Sequence, residues 1–125
     1  MTNETQTADT QLLDALQHFQ SRMNASAPVQ KMSKGWSPLI YVQSNDDAHC
    51  FALQIEEGQL KNITPSNDDI DEDDLLLRAD HELLVRIFKG QANPLREWSN
   101  GTLEVYGPQK DQGKLDAVSM ILWGL

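Results

Sequence analysis

The sequence predicts an α+β fold, a five-stranded, antiparallel-rich sheet covered on one face by helices. Three observations predict it. Apolar residues recur at helical spacing over residues 12–23, and three short β-rich runs separated by tight turns fill residues 38–64. Beyond Leu75, strand and helix patterns alternate, punctuated by Gly and Pro.

Residues 1–10 read as a disordered polar tail, and residues 11–125 as one domain. Thr10 is a candidate cap for the first helix, on which Leu12, Leu16, Phe19 and Met23 share one face and Leu13 widens it. That helix fades at Ser26-Ala27-Pro28, because the residue before a proline avoids the helical region. Pro38 to Gln43 is the first strand, and Asn45-Asp46-Asp47 turns the chain. His49 to Ile55 sets Phe51, Leu53 and Ile55 on one face and Cys50, Ala52 and Gln54 on the other. Glu57-Gly58 leads into Gln59 to Thr64, completing an antiparallel meander.

Ser66 to Asp74 is an acidic crossover to a strand at Leu75 to Ala79. Its carboxylates lack the glycine and glutamate spacing of an EF-hand loop and read as a solvated linker. Asp80 is placed to cap a helix that buries Leu83, Leu84, Ile87 and Phe88 and stops at Gly90. Pro94 opens a short helix carrying Trp98 as a large apolar anchor. Thr102 to Tyr106 is the fifth strand, Gly107-Pro108 breaks it, and Lys114 to Trp123 forms the C-terminal helix.

Composition narrows the function. The chain has 125 residues, 39% hydrophobic and 6% aromatic, and a net charge of -9. Such a surface repels phosphate backbones and anionic bilayers, which excludes nucleic-acid partners and stable membrane insertion as expectations. Cys50 is the only cysteine, so neither a disulfide framework nor a cysteine-rich zinc site is expected. The N-terminal residues lack the basic and apolar regions of a signal peptide, and a cytoplasmic location is expected. His18, His49 and His81 have no metal-ligand spacing, and Cys50 has no base beside it in the pattern. The chain is therefore read as non-enzymatic, with no catalytic residue, metal or cofactor.

The stretch Asp80…Leu84…Gly90-x-x-Asn93-Pro94…Trp98-x-x-Gly101-x-Leu103-x-Val105-x-Gly107 resembles the hallmark region of the sterol carrier protein type-2 family. The element order is similar as well, past the tail. Thr102 stands where that family usually has lysine, and Pro108 where it commonly has an acidic residue. The short acidic form is similar to the stand-alone bacterial members. The resemblance implies a non-enzymatic module that binds or carries a hydrophobic ligand such as a fatty acid, acyl-CoA, isoprenoid or sterol. It places that ligand in an apolar cavity between sheet and helices.

The residues expected to line the cavity are Ile87, Phe88, Leu95, Trp98, Leu103, Val105, Val118, Met120, Ile121 and Leu122. Such a pocket would need about 300–1,000 Å³. The last helix, with Ala117, Val118, Met120, Ile121, Leu122 and Trp123, is apolar nearly all round. It either seals a core, lines a cavity, or meets a partner. The alternative reading is an interaction module with a filled core that dimerises or docks through that helix.

Overall fold

The computed structural model describes the backbone of residues 3–46, 49–67 and 69–124, and side chains from residue 10 onward. Helix α1 spans Asn3–Ala25, a stretch without Gly or Pro. The segment from residue 3 to 10, expected as an unstructured tail, is helical here; Met1 and Thr2 lie outside the described residues. A helix nucleated on the apolar stripe adds polar residues at little cost, so Thr10 sits inside it rather than at its cap. Leu12, Ala15, Leu16, Phe19 and Met23 are buried, as the spacing predicts.

A second helix, α2 (Ala27–Met32), was not foreseen. Pro28 does end α1, but Ser26 caps a new turn by accepting from the Val29 N–H at 3.3 Å.

Strands β1 (Leu39–Ser44), β2 (Cys50–Glu56) and β3 (Gln59–Pro65) form the expected antiparallel meander. β4 (Leu75–Ala79) then pairs parallel to β1, and β5 (Glu104–Tyr106) closes the edge antiparallel to β4. The resulting five-stranded order is β3-β2-β1-β4-β5. Ile40, Val42, Phe51, Leu53, Ile55, Leu75, Leu77 and Ala79 turn inward to one core with the α1 stripe. Gln54 and Arg78, on the opposite pleat, are exposed, so the helices gather on one face.

Helices α3 (His81–Phe88), α4 (Pro94–Ser99) and α5 (Gln109–Trp123) complete the layer. One capping expectation is corrected. Asp80 occupies the N-cap position of α3 but makes no side-chain cap. The carboxylate that accepts from the His81 N–H, at 2.9 Å, belongs to Asp46. The parallel register that sets Ser44 beside Ala79 brings the turn after β1 to the start of α3. Ser44 Oγ donates to the same oxygen at 2.7 Å. These donors hold the Asp46 carboxyl below its ordinary value, the Ser44 hydroxyl contributing most. Asp47, in the expected turn, lies outside the described residues, as does Asp68 of the acidic linker.

Helix α5 starts earlier than predicted, directly after Pro108, with Gly113 inside it. Over this helix only Val118 and Ser119 are fully buried. It rides on the layer through four side-chain ties. Trp36 Nε1 donates to Asp111 Oδ1 at 3.0 Å, and Lys114 Nζ to the Met32 carbonyl at 2.9 Å. Trp123 Nε1 donates to the Ile87 carbonyl at 3.0 Å, and Arg22 donates to the Leu122 carbonyl.

Candidate functional site: an apolar cavity beneath the C-terminal helix

A gap opens between α5 and the sheet, beside the contacts that Leu115, Val118, Leu122 and Trp123 make with the core. Leu77 of β4 and Val105 of β5 are cross-strand partners and form the floor. Ile87 and Phe88 of α3 and Phe19 of α1 form one wall. Pro94, Leu95 and Trp98 of α4, with Leu103, form another. The roof is the α5 face carrying Gln112, Leu115, Asp116, Ser119 and Trp123. Asn93 sets the α4 wall by accepting from the Leu95 and Arg96 N–H groups at 2.9 and 3.4 Å. Thr102 Oγ1 donates to the Glu97 carbonyl at 2.9 Å and ties α4 to the approach of β5.

The enclosed space is about 70 Å³. That is well below the roughly 300–1,000 Å³ of a typical ligand site.

Trp123 plugs one end. Its ring stacks on Phe19 at 5.8 Å between centroids, and Phe19 meets Phe88 edge-on at 5.2 Å. The Arg22 guanidinium lies 5.6 Å from the Trp123 ring centroid.

The polar groups of the roof are mostly spoken for. Gln112 Nε2 donates to the Gly107 carbonyl at 2.7 Å, and Ser119 Oγ donates to the Leu115 carbonyl at 3.0 Å. Asp116 is the exception. It sits at the mouth, largely exposed, and the apolar surroundings desolvate its carboxyl enough to raise it above the ordinary aspartate value.

The residues predicted from sequence divide cleanly. Ile87, Phe88, Leu95, Trp98, Leu103 and Val105 come together around the cavity. Val118 is buried in the core beside it, and Leu122 packs against that core; neither lines the space. Met120 and Ile121 are exposed, 53% and 39%, and lie outside the lining. Trp98, expected as a buried anchor, is 52% exposed and presents only part of its ring to the cavity.

Reading by apolarity alone missed Phe19, Leu77, Leu115 and Trp123, and it missed the polar roof residues. Their signal was positional. Gln112, Asp116, Ser119 and Trp123 fall at i, i+4, i+7 and i+11, one stripe of a helix that mixes polar and apolar side chains.

Among the described residues, no group of His, Cys, Asp and Glu is placed to hold a metal ion. Cys50 is half-buried, and burial pushes its thiol up, away from the reactive thiolate. No helix among the described residues is long and apolar enough to cross a membrane.

No family model matches the chain, and no curated protein matches it. Solved structures do. Sterol carrier protein domain 2 of Helicoverpa armigera superposes with a TM-score of 0.67 at 16% identity, covering 92% of this chain and 90% of that one. A sterol carrier protein 2 crystal structure gives 0.60 at 15% identity, covering 90% and 95%. Palmitated SCP2L2 from Aedes aegypti gives 0.57 at 10% identity, covering 87% and 91%. These matches run nearly end to end on both chains, and the chain has the sterol carrier protein type-2 fold.

Proposed function

We propose that this protein binds the apolar tail of a lipid or similar hydrophobic small molecule, without catalysis, in the cavity beneath α5. The observation that carries the reading is the cavity itself. Side chains from α1, α3, α4, α5 and the β4–β5 floor converge on one space whose walls are almost wholly aliphatic and aromatic. The solved relative from Aedes aegypti is palmitated, which supports an acyl chain as the kind of tail this fold holds.

The energetics are adequate. Burying a C16 chain at roughly 0.8 kcal/mol per methylene gives on the order of 12 kcal/mol gross. Association costs of roughly 4–15 kcal/mol set against this leave at most about 8 kcal/mol, so the tightest affinity expected is near micromolar. We assign opening to α5, over which only Val118 and Ser119 are fully buried.

Ser119 is buried in the roof, so Ser119→Leu fills the space from α5 without touching the floor. Uptake of C16 compounds, followed by native mass spectrometry, is expected to fall at least tenfold while the thermal midpoint holds or rises. Unchanged uptake in a folded variant would remove the cavity from the reading.

A second reading is an interaction module that dimerises or docks through α5. Exposed Met120 and Ile121 on that helix favour it. Sedimentation distinguishes the two: a monomer that takes up lipid supports carriage, and a lipid-refusing dimer supports docking.

A further inference from the structure

The roof of the cavity is chemically one-sided. Among its lining residues Asp116 is the only ionisable group, and no Lys, Arg or His lines the space. Two cations close to the roof are engaged elsewhere. Arg22 reaches the wall only through the Trp123 ring and donates to the Leu122 carbonyl, and Lys114 donates to the Met32 carbonyl at 2.9 Å. Of the neutral donors on the roof, Gln112, Ser119 and Trp123 each donate to a backbone carbonyl, which leaves the indole N–H of Trp98, on the half-exposed α4 wall, as the one neutral donor of the lining without a bond. A carboxylate-headed lipid whose tail filled the cavity would put its charge beside Asp116 with no cation to offset it, in a chain of net charge -9. An ammonium or hydroxyl head would instead meet an acceptor at the mouth of an apolar space, where a charge-assisted bond is strongest.

We propose that Asp116 makes the site selective for amphiphiles whose head group donates a hydrogen bond, long-chain amines and alcohols, over those ending in a carboxylate. This rests on the cavity reading above and narrows it to a ligand class.

The test is a matched C16 series, hexadecylamine, hexadecanol and palmitate, titrated at pH 7 below the micellar range and read by tryptophan fluorescence and native mass spectrometry. Wild type is expected to bind the amine about tenfold tighter than palmitate, with the alcohol between, as one charge-assisted bond provides. Asp116→Asn should erase most of that spread by weakening the amine and strengthening palmitate, and Asp116→Glu should keep it. Asp69→Asn removes the same charge from the distant acidic linker and should leave the order unchanged, which separates a local contact from attraction to an acidic surface.

If Asp116→Asn and Asp69→Asn behave alike, or if palmitate binds as well as the amine, the head-group assignment is wrong while the cavity reading stands. If none of the three compounds binds, the cavity reading fails and takes this assignment with it.

Discussion

Trp123 donates its indole N–H to the Ile87 carbonyl at 3.0 Å, so the last turn of α5 is bonded to the last turn of α3 at one end of the cavity. The same ring stacks on Phe19, which ties α1 into the arrangement. One side chain therefore links three helices and stands at the end of the space a ligand would need.

Replacing that side chain separates its two roles. Trp123→Phe keeps the stack and loses the bond to Ile87, and is expected to cost about 1 kcal/mol. Trp123→Ala should cost about 2–3 kcal/mol, less than a fully buried tryptophan because this ring is only partly covered. It should also enlarge the cavity and speed uptake of a C16 probe. Urea unfolding and stopped-flow binding measure the pair; slower uptake in Trp123→Ala would show that the ring does not obstruct entry.

Asn24 does for β3 what another strand would do. It donates to the Leu60 carbonyl at 3.0 Å and accepts from the Leu60 N–H at 2.8 Å. Gln20 also donates to that carbonyl at 2.9 Å, so the N–H depends on Asn24 more than the carbonyl does. Asn24→Ala is expected to destabilise by about 1–3 kcal/mol, since Leu60 is buried and its N–H would lose its partner. Asn24→Asp, which keeps the acceptor, should lose less. Equal losses in chemical denaturation would contradict this division.

Gly101 and Gly107 share positive φ, 80° and 132°, but differ in surroundings. A Cβ at Gly101 meets nothing within 4 Å, whereas one at Gly107 would come within 2.8 Å of the Asp74 carbonyl oxygen and 2.9 Å of Leu75 Cδ2. Gly101→Ala is expected to cost about 1–2 kcal/mol, the backbone penalty alone. Gly107→Ala should cost clearly more and disturb the β4–β5 edge. Thermal midpoints in the reverse order would disprove the steric account.

Asp46 predicts an acid response. Its folded-state carboxyl is lowered by Ser44 Oγ and the His81 N–H. Its stabilisation is fully present above the unfolded value, near 3.8, and is lost as pH falls through the lower folded value. Asp46→Asn keeps the acceptor oxygen without the titration, so its stability should vary less with pH in the window below 3.8. Asp46→Ala should lose the cap itself, about 1 kcal/mol at neutral pH. Urea titrations between pH 2 and 7 would refute the assignment if all three proteins showed the same slope there.

What the sequence by itself determined lies close to the chain. The spacing of Leu12, Leu16, Phe19 and Met23 marks a buried helical face because a helix repeats every 3.6 residues wherever it packs. The alternation of Phe51, Leu53 and Ile55 does the same for a strand. Asn93-Pro94 starts a helix through bonds that span two or three residues. The sterol carrier protein type-2 fold was legible through these local rules and the order of elements.

Tertiary structure alone decided the rest, because the deciding partners are far apart in sequence. Asp46 rather than Asp80 caps α3, since parallel β1–β4 pairing brings a distant turn to that helix end. Trp98 is half bare because the elements packed around α4 leave one side of its ring uncovered. The face of α5 that roofs the cavity is the mixed stripe of Gln112, Asp116, Ser119 and Trp123, while apolar Met120 and Ile121 look outward. Apolarity in a sequence reports what a side chain prefers. Which side of a helix meets the sheet is set by how its two ends are tied, here by Trp36 to Asp111 and Trp123 to Ile87.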